Sequence, residues 1–370
     1  MENSETLEPV LKEGGETPVT KQCETTPAPE KGETPVTEQC ETTPAPEKKG
    51  GDMKKRVITG ACYVAVLVAF FLLKIFVHKL FFDALLLAFA VIGTVEMTRA
   101  FKEKLHLSQV ILVIMFAVLV VAAYAISDFY FQDVLKISLP EDGVLDKETL
   151  QALSGRNYSM HITFGVMITG IALIMSLLVI FHEKVSLEST GYALMCLLYP
   201  SFFITVLSVC NHLVKYSEMA VLLVFVICPV ADSLALLFGK SLGKKLPAKM
   251  APHVSPKKTI IGGFGGLLGG AVGAVMVFFA CYGISFLDGI SFKTSLDTFN
   301  LVFFIALGIL TSAFSQFGDL VESAVKRKLK IKDMGKILPG HGGILDRIDS
   351  SLYAGLVVSL AMVARIMIVG

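Results

Sequence analysis

Long apolar runs separated by short polar segments fill the chain from about residue 57 onward. Each run is close to the roughly 20 residues that an α-helix needs to cross a bilayer. Nine runs lie at about 57–77, 80–99, 107–126, 161–181, 191–210, 218–238, 263–283, 298–318 and 350–369. The pattern predicts an all-α, polytopic membrane protein with about nine transmembrane helices.

The first 52 residues follow a different pattern. They contain no aromatic residue and seven of the 14 prolines, and the 17 residues at 15–31 recur at 32–48 with Glu38 in place of Lys21. Such a segment buries too little apolar surface to offset the entropy lost on ordering. We predict a disordered acidic tail over 1–52, without a part in catalysis, and a membrane domain over 53–370.

Composition and charge agree with this division. The chain is 54% hydrophobic and 18% charged, and its seven cysteines include no C-x-x-C pair, so we expect neither a disulfide framework nor a zinc site. Residues 1–52 carry five Lys and twelve Asp or Glu, a balance of −7 that leaves +8 for the rest, since the whole chain is +1. An anionic partner would therefore bind the membrane domain.

Loop charge predicts the orientation. Basic residues precede the first run at 54–56, six lysines and no acid lie in 239–258, and seven Lys or Arg lie in 319–348. Nine spans would place these segments on one side and the acidic loop 127–160 on the other. Because cytoplasmic loops are enriched in Lys and Arg, we expect a cytoplasmic N-terminus in a bacterial-type inner (cell) membrane.

Charged residues also occur within the apolar runs, where ionisable groups are costly and often functional. Asp232 lies near the end of the sixth run, either as an interfacial residue satisfied by a neighbouring helix or as part of a site. Glu96 and Arg99 end the second run three residues apart, a spacing that favours a local ion pair.

A phosphate site is predicted in HVSPKKTIIGGFGGLLGG, residues 253–270. Its proline indicates a turn, Ser255 and Thr259 offer hydroxyls, and Lys257 and Lys258 offer two cations beside the start of a glycine-rich helix. Hydroxyls, cations and N–H groups at a helix start together bind anions. The alternative is a cytoplasmic anchor followed by a small-residue packing face.

The densest polar stretch is SQFGDLVESAVKRKLKIKDMGKILPGHGGILDRIDS, residues 315–350. If the eighth helix continues past residue 318, one helix face carries Asp319, Glu322, Ser323 and Lys326. PGHGG predicts a tight loop, and Asp346 and Asp349 then share a side of the ninth helix. Carboxylates from two helices beside many cations suit Mg²⁺ and a polyphosphate, with a lipid phosphate as the natural second reactant.

The stretch 323–349 closely resembles the signature of the phosphatidate cytidylyltransferase (CDP-diacylglycerol synthase) family. That signature is Ser-x-x-Lys-Arg, then Lys-Asp, Pro-Gly-His-Gly-Gly and Asp-Arg-x-Asp, and this chain has it at 323–327, 332–333, 339–343 and 346–349. The resemblance extends upstream to Asp232 with Ala235, to the Gly-Lys pairs around 239–245 and to SPKKT at 255–259. It covers about 54–370.

The family converts CTP and phosphatidic acid to CDP-diacylglycerol and pyrophosphate with Mg²⁺. The resemblance implies that Asp319 and Asp346 bind the metal, with Ser323 and Lys326 as further catalytic residues. The residues implied to bind substrate are Asp232, Ser255, Lys257, Lys258, Thr259, Arg327, Lys332, Asp333, His341, Arg347 and Asp349. The resemblance also implies contact with membrane lipid, allows a second, monovalent cation and a homodimer, and indicates no nucleic-acid partner.

One position departs from the family pattern. After SPKKT the family usually has an aromatic residue and Glu before Gly, whereas Ile260 and Ile261 precede Gly262 here. A glutamate charge is therefore missing. For His341, both a catalytic contact to phosphate and a structural hydrogen bond within the loop fit the sequence.

Two other functions fit parts of the pattern. A CTP-dependent polyprenol kinase would form CDP rather than pyrophosphate. A transporter would have ionisable groups deep in the bilayer and broken helices, whereas the densest charges here lie at the ends of the predicted spans.

Overall fold

The computed structural model describes residues 49–130, 147–213, 216–243, 248–285, 298–340 and 342–369. These ranges contain ten α-helices: α1 (Lys49–Phe76), α2 (Leu80–Ala100), α3 (Leu107–Phe129), α4 (Lys147–Ile180), α5 (Leu187–Leu197), α6 (Phe203–Asn211), α7 (Ser217–Ser241), α8 (Ile260–Ser285), α9 (Thr298–Lys328) and α10 (Leu345–Val369).

Nine stretches within the described ranges are long and apolar enough to cross a membrane. Eight belong to single helices, and the fifth, Leu187–Asn211, is built from α5 and α6 together. The prediction of an all-α, polytopic membrane protein with nine spans is therefore confirmed.

The fifth span is not a regular helix. A π-helical segment, Leu198–Phe202, separates α5 from α6 and contains Pro200. Proline has no N–H to donate to the preceding turn, so the helix locally widens instead of continuing its regular hydrogen bonds. The apolar pattern could not predict this change, because the residues on both sides of it are equally apolar.

A β-hairpin replaces the turn expected near Pro256. Strand β1 (Lys249–Ala251) pairs antiparallel with β2 (Ser255–Thr259), and Lys249 faces Thr259 across the pair. The hairpin leads directly into α8. It presents SPKKT as an extended strand beside the ends of α7 and α9.

Close packing of α7, α8 and α9 confirms the small-residue face predicted for the glycine-rich segment. A Cβ atom on Gly270 of α8 would overlap the Gly308 carbonyl oxygen of α9, and the converse also holds. On the opposite side of α8, a Cβ on Gly269 would lie 2.7 Å from the Ala231 Cα atom of α7. The glycines let the three backbones approach closely, which brings their polar ends together.

Helix α1 is the most peripheral of the spans. Only 6% of its span is buried, compared with 67% for the fifth span. The Thr59 hydroxyl nevertheless donates to the Pro339 carbonyl, 3.2 Å away, and so connects α1 to the loop before α10. Because α1 begins at Lys49, the boundary predicted between residues 52 and 53 falls inside a helix. The rest of the predicted tail, 1–48, lies outside the described residues.

A buried charge cluster joins α2, α3 and α6 at the end of the bundle away from the SPKKT hairpin. His212 Nδ1 lies 2.5 Å from Asp128 Oδ2, and its Nε2 lies 2.6 Å from Asp83 Oδ2. Ser208 donates to the other Asp83 oxygen, and Lys79 lies 3.8 Å from Asp128. Asp128, expected in an acidic loop, is thus a helical residue that binds a histidine.

This cluster favours the protonated form of His212, which lies just beyond α6. Burial disfavours the charged imidazole, but hydrogen bonds to Asp128 and Asp83 outweigh burial and raise the pKa of His212 above its usual range. The edge of the imidazole faces the ring of Tyr124. Through these two carboxylates, His212 links α2 and α3 to the end of α6.

Stability should consequently fall as pH rises. Since the folded state raises the pKa of His212, its contribution is fully present below about pH 6.5, the unfolded value, and is lost as pH rises through the folded value. We expect His212→Asn to lower the free energy of unfolding by about 3–5 kcal/mol at pH 6, because it leaves buried carboxylates uncompensated. Denaturant unfolding in micelles across pH measures both effects.

The control is the exposed His182, where His182→Asn should change stability by less than about 0.5 kcal/mol. A wild-type protein whose stability did not vary with pH, together with a His212→Asn variant of unchanged stability, would contradict the assignment.

Candidate functional site

The last turns of α9 carry one polar face, as the sequence predicted. Ser323 Oγ donates to Asp319 Oδ1 over 3.3 Å, and Lys326 Nζ donates to Glu322 Oε2 over 2.9 Å. Both pairs are four residues apart, so they stack along one side of the helix. The helix continues ten residues past residue 318, to Lys328, which places these groups at the end of the span.

Asp346, in the first turn of α10, joins this face to the loop between the helices. Its Oδ1 accepts from Lys326 Nζ over 2.8 Å, and its Oδ2 accepts from the N–H groups of Met334 and Gly343 over 2.9 and 2.8 Å. A carboxylate has about four acceptor positions. Among the described residues, three are used by these donors and one remains on Oδ1.

The hairpin supplies a cation to the same site. Lys258 Nζ lies 2.5 Å from Asp319 Oδ2, and both side chains are about 30% exposed, at 28% and 30%. Thr259 Oγ1 accepts from the Gly262 N–H over 3.1 Å and so caps the start of α8. Lys258 and Thr259 are thus brought to the site, while Ser255 lies at the other end of β2.

Arg327 also contacts the hairpin, because its Nε donates to the Val254 carbonyl over 3.3 Å. Lys332 and Asp333 are exposed in the loop after α9. A Cβ atom on Gly342 would lie 3.3 Å from the Asp333 Cβ and 2.8 Å from Asp346 Oδ2. The loop therefore folds back over the start of α10.

The tight loop predicted for PGHGG is confirmed. Gly340 and Gly342 have φ angles of +78° and +85°, which L-residues with side chains rarely adopt. The Leu338 N–H donates to the Gly342 carbonyl over 2.9 Å and closes the turn. His341 lies outside the described residues, so both interpretations of its role stay predictions.

Two cavities meet at Asp232. The first, here called the basic cavity, has a volume of about 390 Å³ and is lined by residues that include Asp232, Lys240, Lys257, Lys258, Thr259 and Gln316. The second, here called the acidic cavity, has a volume of about 280 Å³ and is lined by residues that include Thr59, Tyr63, Asp232, Asp346, Arg347 and Asp349. Asp232 thus lines both cavities, and its role in binding stays a prediction.

The two cavities differ in their surroundings. The basic cavity lies among α7, β2, α8 and α9, and its cations are suited to a polyanion. The acidic cavity lies among α1, α7 and α10, and apolar residues of α1 and α7 form part of its wall. Because α1 is the least buried span, this second cavity borders the lipid-facing side of the bundle.

Two further carboxylates lie deeper in the site. Glu322 is fully buried, and in the part of the chain that the structure describes no N–H or O–H group donates to its Oε1. The buried Asp349 lies close enough for the two like charges to interact. Unpartnered oxygen atoms in such a place are suited to a proton or a cation.

The donor set fits Mg²⁺ better than a softer metal. Within the described ranges, no three His, Cys, Asp or Glu side chains are grouped so that they alone could hold a metal ion. Mg²⁺ usually takes only one or two carboxylates from protein and the rest of its oxygen ligands from water and phosphates. Asp319 and Asp346, on two different helices, could supply that pair.

The prediction of an ion pair between Glu96 and Arg99 is wrong, because no ion pair joins these two side chains in the part of the chain that the structure describes. Instead, Glu96 Oε1 and Oε2 accept from the N–H groups of Ile344 and Leu345 over 3.1 and 2.9 Å. The sequence did not indicate that Glu96 lies beside the site. The sequence shows Glu96 only as an acidic residue near the end of an apolar helix. Nothing in that local pattern indicates that the residue packs against α10.

Comparison with known proteins agrees with this architecture. The model of the cytidylyltransferase family matches residues 54–364. A phosphatidate cytidylyltransferase of Bacillus subtilis (strain 168) is 29% identical over 304 residues, which are 82% of this chain and 94% of that protein.

Two staphylococcal phosphatidate cytidylyltransferases match a shorter stretch. The protein of Staphylococcus aureus (strain COL) is 35% identical over 187 residues, 49% of this chain and 62% of that protein. The protein of Staphylococcus haemolyticus (strain JCSC1435) is 40% identical over 134 residues, 36% of this chain and 45% of that protein. The chain thus spans about three fifths or less of these relatives' length. Since the family model extends from α1 into α10, the chain belongs to the cytidylyltransferase family.

Proposed function

We propose that the protein transfers CMP from CTP to phosphatidic acid, giving CDP-diacylglycerol and pyrophosphate for phospholipid biosynthesis. The observation that carries this proposal is the meeting of a basic and an acidic cavity at Asp232, with Asp319 and Asp346 beside them. A nucleotide and a lipid can approach such a pair of cavities from different sides. The family's signature and the names of the relatives support the same reaction.

The reaction requires no nucleophile from the protein. A phosphate oxygen of phosphatidate would form a bond to the α-phosphorus of CTP, while the bond from that phosphorus to the bridging oxygen breaks and pyrophosphate leaves with the electron pair. Phosphoryl and nucleotidyl transfer depend mainly on positioning and charge neutralisation. The charged side chains of α9, β2 and α10 are suited to both.

Each group of residues has a separate part in this proposal. Lys257 and Lys258 would bind the triphosphate in the basic cavity, and Arg347 would bind the lipid phosphate in the acidic cavity. Asp319 and Asp346 would hold Mg²⁺, which when bound neutralises charge on the phosphates. Lys326 would keep Asp346 in place through their 2.8 Å contact.

We further propose that this site faces the cytoplasm of a bacterial-type inner membrane. The basic segments 239–258 and 319–348 both contribute to the end of the bundle that carries the cavities. The positive-inside rule favours that end for the cytoplasm. A homodimer and a second, monovalent cation stay predictions from the family resemblance.

The first test is the identity of both products. Purified protein with CTP labelled at the α-phosphate, phosphatidic acid and Mg²⁺ should form a lipid-soluble cytidine product and an equal amount of pyrophosphate. Thin-layer chromatography and a coupled pyrophosphate assay measure them. Formation of CDP and a lipid monophosphate from a polyprenol would instead favour the kinase interpretation.

Removal of either acidic group at the proposed metal site should abolish turnover. We expect Asp319→Asn and Asp346→Asn each to lower kcat by at least about 100-fold, because charge on the phosphates is no longer neutralised. Thermal unfolding should show that Asp319→Asn is folded. The control, Glu103→Gln, removes an exposed carboxylate between α2 and α3 and should leave kcat unchanged. Near-normal activity of Asp319→Asn would contradict the assignment.

The two cavities should separate the two substrates kinetically. Lys257→Gln should raise KM for CTP, and Arg347→Gln should raise KM for phosphatidic acid, each by about tenfold, because each removes one charged hydrogen bond to phosphate. Steady-state kinetics in mixed micelles measure both constants. The variants are controls for each other, and a rise in KM for the same substrate in both would disprove the division.

A further inference from the structure

Glu96 is an ionisable residue that the proposed reaction does not use. It lies near the end of α2 with only 2% of its surface exposed. A carboxylate in such a place is strongly unfavourable unless donors surround it. The residues that surround it belong to the start of α10, 248 positions further along the chain.

The contacts of Glu96 act as a cap for α10 from another helix. Its two oxygens accept the N–H groups of Ile344 and Leu345, one each. The first N–H groups of a helix have no partner within the helix, and the helix dipole favours a negative charge beside them. Glu96 therefore fixes the position and the direction of the first turn of α10.

Two glycines show how closely the chain encloses this carboxylate. A Cβ atom on Gly335, in the loop after α9, would overlap the Glu96 carboxylate, and so would one on Gly343, just before α10. The carboxylate thus lies between the two segments that precede α10. A larger side chain at either glycine would push those segments apart.

The same two segments hold Asp346. The N–H groups of Met334 and Gly343 donate to its Oδ2, next to the positions that Glu96 contacts. Among the described residues, Glu96 itself forms no hydrogen bond or ion pair with Lys326 or Asp319. Its hydrogen bonds therefore reach the site through the backbone that carries Asp346, although its charge also interacts directly with that of Asp346.

We propose that Glu96 is a positioning residue, which aims the Asp346 carboxylate at the metal and phosphate site by holding the first turn of α10 and the loop before it. This inference rests on the proposed function, which identifies that site as the one that binds metal and phosphate. Glutamine at this position keeps the size of the side chain but presents an NH₂ group to one of the two backbone N–H donors. Aspartate keeps the charge but shortens the reach.

The test measures metal binding separately from turnover. Free Mn²⁺, a substitute for Mg²⁺, is quantified by electron paramagnetic resonance during titration of the purified full chain without substrates. We expect Glu96→Gln to raise the half-saturating Mn²⁺ concentration by about 10- to 100-fold, the usual effect of losing an outer partner of a metal ligand. The half-saturating Mn²⁺ concentration of Glu96→Asp should lie between those of Glu96→Gln and the wild type. The kcat at saturating CTP should fall in the same order.

Glu218→Gln is the matched control. Glu218 pairs with Lys74 over 3.0 Å at the end of the bundle away from the cavities, so its loss also removes a partly buried carboxylate from a helix. It should lower thermal stability without changing Mn²⁺ binding. If Glu96→Gln and Glu218→Gln change Mn²⁺ binding equally, the role of Glu96 is merely structural and the inference is overturned.

The remaining outcomes are also decisive. Wild-type Mn²⁺ binding and kcat in Glu96→Gln would overturn the inference. If Glu96→Gln does not fold, Glu96→Asp decides, and a shift below about threefold overturns the inference. A wild-type protein that binds Mn²⁺ but forms no lipid-soluble cytidine product would remove the proposed function, while a Glu96→Gln shift in Mn²⁺ binding would still support the positioning role.

Discussion

The site depends on the Asp346 carboxylate, which connects three parts of the chain at once. It accepts from Lys326 on α9 and from two backbone N–H groups, one before the PGHGG loop at Met334 and one at its last residue, Gly343. In a region of low dielectric constant these hydrogen bonds to a charged group are strong, and the loss of any one would leave a buried charge or N–H without compensation. Both the loop and the two helices are therefore positioned by one side chain.

The surrounding charges follow the same constraint. Lys326 lies between Glu322 and Asp346, and Lys258 lies beside Asp319, so these two cations near the end of α9 have carboxylate partners. Such partners reduce the penalty of burying charge at the end of a membrane helix. They also leave the site able to exchange partners, because an arriving phosphate can compete for the lysines and a metal ion can compete for the carboxylates.

The two ends of the bundle use buried charge for different purposes. At the end away from the cavities, His212 is enclosed by Asp83 and Asp128 and fastens α2, α3 and α6 together. At the other end, Asp232, Asp346 and Asp349 line two cavities, and of these three Asp232 is exposed. Between them, the glycines of α8 keep α7, α8 and α9 close. The two charge clusters thus lie on different helices, and only the one at the cavities belongs to the proposed site.

The sequence by itself determined the nine spans, the helical face from Asp319 to Lys326 and the tight PGHGG loop, because apolar periodicity, helical spacing and glycine conformation are local properties. Only the tertiary structure decided that Asp232 lies where two cavities meet, that SPKKT is a strand, and that Glu96 caps α10. Those facts join residues far apart in the chain. Which residues become partners depends on how the helices pack, and local sequence spacing does not determine that packing.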